Sequence, residues 1–74
     1  MAKLPNEREQ RVAIRRRVQE VIPLLRRLAN PSALQDAWKL ENDARALTPA
    51  TRMPQWLAVA ELADSLVAKW RLRV

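Results

Sequence analysis

A small all-α protein, a three-helix antiparallel bundle, is predicted for this 74-residue chain by three observations. Apolar residues recur at alternating spacings of three and four in three separate stretches, which is the spacing of one helix face and not of a strand. Prolines punctuate the chain at the helix starts: Asn30-Pro31 is a capping residue followed by a proline suited to a first turn, and Thr48-Pro49 repeats the signal ahead of a loop that Pro54 ends. The three stretches leave no room for a strand, and there is no internal repeat or low-complexity tract.

The first helix is expected over about residues 7 to 28. Asn6 followed by Glu9 forms a capping-box-like opening, and Glu7 and Glu9 lie where the helix dipole favours negative charge. Ile14, Val18, Val21, Leu25 and Leu28 then follow at 4-3-4-3 spacing. Pro23 interrupts this helix by removing the hydrogen bond to the Gln19 carbonyl, yet the stripe continues in phase beyond it. Pro23 itself points nearly opposite the stripe, so a kink rather than a break is predicted.

Asn30-Pro31 opens the second helix, about 31 to 46, after a connection of one or two residues that makes the first two helices neighbours. Ala33, Ala37, Leu40, Ala44 and Leu47 form its stripe, and the small residues allow close approach. Leu34 and Trp38 fall about 100° to one side. Met53-Pro54 prevents a helix from running through residues 48 to 53, which are read as a loop or single turn. The third helix, about 54 to 72, carries Trp56, Val59, Ala63, Leu66 and Trp70 on its stripe, with Val67 beside it and Leu57 outside. The chain has no glycine, so every backbone position is expected to suit an L-residue. A chain this short buries only about 60% of its unfolded surface, and Leu34, Trp38 and Leu57 are left over, so a homodimer is expected.

Composition narrows the function. The chain has no His and no Cys, which removes disulfides, haem attachment, thiol and imidazole metal sites, and the usual general bases and nucleophiles. At 49% hydrophobic residues it is too apolar for a disordered chain. A non-enzymatic protein is expected, with no cofactor, no metal and no small-molecule substrate. No apolar run reaches the roughly 18 to 20 residues of a membrane span, and the opening MAKLPNEREQ lacks a signal peptide's apolar core, so a cytoplasmic protein without membrane contact is expected.

Fourteen Lys and Arg against eight Asp and Glu give a net charge of +6. Eleven of those cations are Arg, a bias that GC-rich coding would also produce. Arg8, Arg11, Arg15, Gln19 and Arg26 share one side of the first helix, and Arg16 and Arg27 share another. This stripe, roughly 27 Å long at 1.5 Å per residue, could follow nucleic-acid phosphates. The plainer explanation is a solvated face with its charge offset by Glu7-Arg11, Arg16-Glu20 and Arg17-Glu20 pairs. The glycine turn of many helix-turn-helix proteins, the sheet aromatics of RNA-binding folds and a zipper tail are all missing.

Trp56 and Trp70 occupy stripe positions and read as core. Trp38 lies off the stripe beside Leu34 and is followed on the same side by Glu41 and Arg45, a mixed surface of the kind enriched at interfaces. A third core tryptophan or a homodimer seam is the plainer explanation, and binding of a different protein the functional one. Lys69, Arg71 and Arg73 complement the dipole of the last turn. Glu61 and Asp64 make that helix's polar face mixed rather than basic, which argues against a membrane-surface role. Those two carboxylates, like Asp36, Glu41 and Asp43, read as solvated. In size and composition the chain resembles the short helical regulators of phages, plasmids and bacterial operons, which occupy a partner protein or bind DNA as dimers. The function expected is a helical regulator or inhibitor that binds a protein partner through Leu34, Trp38, Glu41 and Arg45. The alternative is a DNA- or RNA-binding regulator using Arg8, Arg11, Arg15, Arg16, Arg26 and Arg27.

Overall fold

Asn6, where the described residues 6–74 of the computed structural model begin, caps the first helix. Its Oδ1 accepts from the Glu9 N–H at 2.8 Å, satisfying one of the donors a helix start leaves open. Helix α1 then runs Glu7–Arg27 as one element through Pro23, whose ring lies on the exposed side. Asn30 caps α2, Pro31–Arg45, by accepting from the Ser32 N–H at 2.8 Å and the Ala33 N–H at 3.4 Å. Helix α3 spans Met53–Trp70, starting one residue before Pro54 and ending short of Leu72. Between α2 and α3, Thr48 and Thr51 close a turn, with the Thr48 N–H donating to Thr51 Oγ1 at 2.9 Å.

Three helices therefore make up the described chain and pack against one another. Cross-helix contacts give their directions. Arg26 meets Glu41 while Arg15 reaches the Leu47 carbonyl, so α1 and α2 run antiparallel. Asp36 meets Lys69 and Thr48 meets Trp56, which makes α2 and α3 antiparallel too.

The core is made by the predicted stripes. Ile14, Val18, Val21 and Leu25 of α1 face Ala33, Ala37 and Leu40 of α2 and Trp56, Val59, Ala63 and Leu66 of α3, with Leu47 closing one end. Alanine at 33, 37 and 63 lets the backbones approach, and Leu25, Leu40 and Val21 fill the space between. Leu28 is a correction. Expected on the stripe, it is 42% exposed because the helix ends before it and the chain turns away.

The connection from α1 to α2 is three residues, 28–30, and it does not keep to ordinary L-residue geometry. Ala29 sits at φ 51° and Arg71, after α3, at φ 50°. Both helices end where glycine usually stands. At Arg71 the turn is completed by the Leu72 N–H donating to the Val67 carbonyl at 2.9 Å, which brings Leu72 back against the core. The left-handed region costs an L-residue roughly 1 to 2 kcal/mol, more than the backbone entropy alanine saves in the unfolded chain. Ala29→Gly is thus expected to stabilise the fold by roughly 0.5 kcal/mol, whereas Ala13→Gly within α1 should cost up to about 1 kcal/mol. Thermal unfolding of the two variants beside the wild type checks this, and equal losses at both positions would show that residue 29 bears no strain.

No helix among the described residues is long and apolar enough to cross a membrane.

Candidate functional site

Residues 34, 38, 41 and 45 of α2 share one side because the spacing 4-3-4 returns to the same helix face. That side lies next to the core stripe, and its occupants differ sharply in exposure. Trp38 is 69% and Leu34 45% exposed, a turn apart on the outer surface. Glu41 is partly covered and binds two arginines: Arg26 of α1, and Arg45 one turn along its own helix at 2.8 Å.

The Arg26–Glu41 pair joins two surfaces that are separate in the sequence. Arg26 stands three turns beyond Arg15 on the same side of α1, so the arginine face of α1 and the Leu34–Trp38 face of α2 flank one seam. At its far end the arginine face is concave. A hollow of about 470 Å³ is walled by Arg8, Arg11, Arg15 and Arg16 with Val12 and Gln19 on α1, and by Pro49 and Trp56 across from them. Among the described residues no carboxylate is part of this wall.

Arg15 is held in place there. Its guanidinium lies over the Trp56 ring, 5.3 Å from the centroid, and donates to the Leu47 carbonyl at 3.4 Å. Trp56 is 2% exposed, and its indole N–H donates to the Thr48 carbonyl at 3.3 Å, so the loop before α3 and the ring beneath Arg15 form one wall. Arg11 meets Glu7 at 3.7 Å, as the spacing predicts. Arg8 and Arg16 have no ion-pair partner among the described residues, so the expected Arg16–Glu20 pair does not form. Arg17 is also redirected, reaching past Glu20 to Asp64 of α3 at 3.3 Å. Arg27 is exposed and borders a second, shallower hollow with Pro23, Leu24 and Arg73. The six arginines nominated for nucleic acid thus separate: Arg8, Arg11, Arg15 and Arg16 converge, Arg26 turns to Glu41, and Arg27 lies apart.

On the other side of α2, Asp36 departs from the solvated reading. Its Oδ2 accepts from Lys69 Nζ at 2.8 Å and from the Trp70 indole N–H at 2.9 Å, and Lys69 lies 5.2 Å from the Trp70 ring centroid. Trp70 is therefore half-buried with a polar partner rather than plain core. The Lys69 hydrogen bond first, and then that of Trp70, hold the Asp36 carboxyl below the ordinary value of 3.8, while partial burial opposes them. A carboxyl whose pKa is lower folded than unfolded adds stability that is fully present above the unfolded value and is lost as pH falls through the folded one. Acid titration is accordingly expected to weaken the α2–α3 contact below about pH 4. Asp36→Asn should lose that part of the pH dependence, read from thermal unfolding at a series of acid pH values. An unchanged acid profile would mean that Asp36 contributes nothing to it.

The pocket was not legible from local spacing. Trp56 and Pro49 come from a segment remote from α1, and the one hint available was an arginine face longer than its carboxylate partners could neutralise. No protein family, curated protein or solved structure matches the chain.

Proposed function

We propose that this chain is a non-enzymatic helical regulator or inhibitor that acts by binding a protein partner, with Leu34 and Trp38 as apolar anchors and Glu41 and Arg45 as their polar border. The observation that carries this reading is the exposure of Trp38. Trp56 and Trp70 are both tied into the fold by ring packing and indole hydrogen bonds, whereas Trp38 presents its ring to solvent next to Leu34. An aromatic and an aliphatic side chain adjacent on an outer helix face give the monomer little, and buried together they would anchor an interface.

The homodimer is a proposal about the same face, with Leu34 and Trp38 meeting their counterparts in a second copy. A self-complementary contact and an unlike partner would compete for it. The bend proposed at Pro23, on the strength of its missing backbone hydrogen bond, lies between Arg15 and Arg26 and would set the angle between the arginine pocket and the Trp38 end of the seam. The nucleic-acid reading is favoured by the carboxylate-free wall around Arg8, Arg11, Arg15 and Arg16, and weakened by the diversion of Arg26 to Glu41.

The test is to recover partners from the source cell on the tagged chain and to measure the binding of a recovered protein to the wild type, Trp38→Ala, and an Arg11→Glu/Arg15→Glu variant at two salt concentrations. An affinity that depends on Trp38 more than on the arginines, and that persists at the higher salt concentration, supports the protein-partner reading. A steep loss with salt that follows the arginines, with nucleic acid in the recovered material, overturns it.

A further inference from the structure

Arginines 8, 11, 15 and 16 line one hollow whose wall, among the described residues, includes no carboxylate, and only Arg11 of the four is ion-paired, with the exposed Glu7 at 3.7 Å. Arg15 is positioned by a ring and a backbone carbonyl, neither of which neutralises it, and Arg8 and Arg16 are without ion pairs among the described residues. Like charges gathered around a concavity repel one another, and an anion with several negative charges relieves that repulsion. Guanidinium groups also suit oxyanions geometrically, because their planar donor forks bind two oxygens at once.

The size of the patch narrows the class of anion. From residue 8 to residue 16, α1 rises about 12 Å, enough for two or three acidic side chains of a peptide segment and short for a phosphate track. Such a track is not extended by the neighbouring cations, since Arg17 is engaged by Asp64 and Arg26 by Glu41. Trp56 offers no face to a base, being covered by Arg15 and the rest of the core. Along the same seam lies the apolar pair Leu34 and Trp38.

We propose that the arginine pocket receives acidic side chains of the protein partner that Trp38 anchors, so that the recognised segment carries carboxylates at one end and an apolar residue at the other. This rests on the protein-partner reading above and adds the partner's charge pattern to it.

The three tryptophans provide separate reporters: the indole N–H resonance of Trp56 for the pocket, that of Trp38 for the apolar end, and that of Trp70 for the far side of α2. Hexaglutamate titrated into the nitrogen-15-labelled full chain is expected to shift Trp56 and leave Trp70 in place. The Arg8→Gln/Arg16→Gln variant should bind the peptide at least about tenfold more weakly, while Arg27→Gln/Arg73→Gln, with the same change in net charge, should differ by less than about twofold. Circular dichroism should show both variants folded, because the altered side chains are exposed. Equal weakening in the two variants, or no shift at Trp56, would overturn the proposal. So would an oligothymidylate of equal charge that shifts Trp56 at lower concentration than the peptide, which would assign the pocket to nucleic acid. Hexaglutamate has no apolar anchor, so Trp38→Ala should bind it unchanged. Failure of the pocket and failure of the Trp38 reading are therefore separable.

Discussion

Leu40→Ala is expected to cost about 2 to 5 kcal/mol of folding stability, the range for deleting a fully buried leucine when the surroundings cannot close over the space. Leu40 is one of the largest side chains in the structure with no accessible surface, and it belongs to the core cluster to which all three helices contribute. Its neighbours Ala33 and Ala37 have no length with which to fill the void. At about 0.05 to 0.15 kcal/mol per residue, a chain of this size holds only about 4 to 11 kcal/mol in total, so one substitution can remove half of it. The midpoint of thermal unfolding should fall by roughly 8 to 40 °C, given about 4 to 8 °C per kcal/mol for a domain of this length. Leu57→Ala, at an exposed position on α3, should change stability by no more than about 0.5 kcal/mol. Similar losses for the two would mean that the core is not where the three stripes place it.

Trp38→Ala is expected to leave the bundle folded and to weaken partner binding by about 2 kcal/mol or more, roughly a thirtyfold loss or greater. Most of the ring is already in water, so truncation opens no cavity in the fold. Its binding loss would come from the apolar area the ring buries only in the complex. Reversing Arg11 and Arg15 should matter less at moderate salt, because ion pairs at a wet rim are screened. Light scattering belongs in the same experiment. If two copies meet through this face, the wild type should scatter as a dimer and Trp38→Ala as a single 8.6 kDa chain. A variant that fails to fold would place Trp38 in the structure rather than on its binding surface.

What could be read from the sequence was local. Asn6 and Asn30 act on backbone groups two or three residues away, and the stripes repeat within single helices, so cap and core residues were visible before any packing was known. Helix phase set Leu34, Trp38 and Leu57 off the stripes in the same way, but it left a third core tryptophan open at position 38, which the exposure of that ring rules out. Leu28 did not, because phase predicts burial only while the helix lasts, and α1 stops at Arg27. Side-chain partners between helices were the least legible. Arg17 has an acidic neighbour at helical spacing and yet pairs with Asp64, and Asp36 looked solvated until α3 brought Lys69 and Trp70 alongside. For the candidate site, the residues were visible as two faces; their junction through Arg26 and Glu41, and the hollow completed by Pro49 and Trp56, depend on how the helices are set side by side.

The distribution of carboxylates over the three helix seams bears on which of two mirror-related bundles this chain adopts. Three apolar stripes can close around a core with α3 on either side of the α1–α2 hairpin, and hydrophobic burial hardly distinguishes the two. Each seam here carries one cross-helix carboxylate contact: Glu41 with Arg26, Asp64 with Arg17, and Asp36 with Lys69 and Trp70. Glu41 and Asp36 stand on opposite borders of the α2 stripe, as Arg26 and Arg17 do on α1. Exchanging the sides of α1 and α3 would keep the core and break every one of these contacts. At roughly 0.2 to 1 kcal/mol for an exposed pair, none of them matters much to stability by itself. Acting in the same direction they amount to roughly 1 to 3 kcal/mol, which is enough to choose the handedness of the fold.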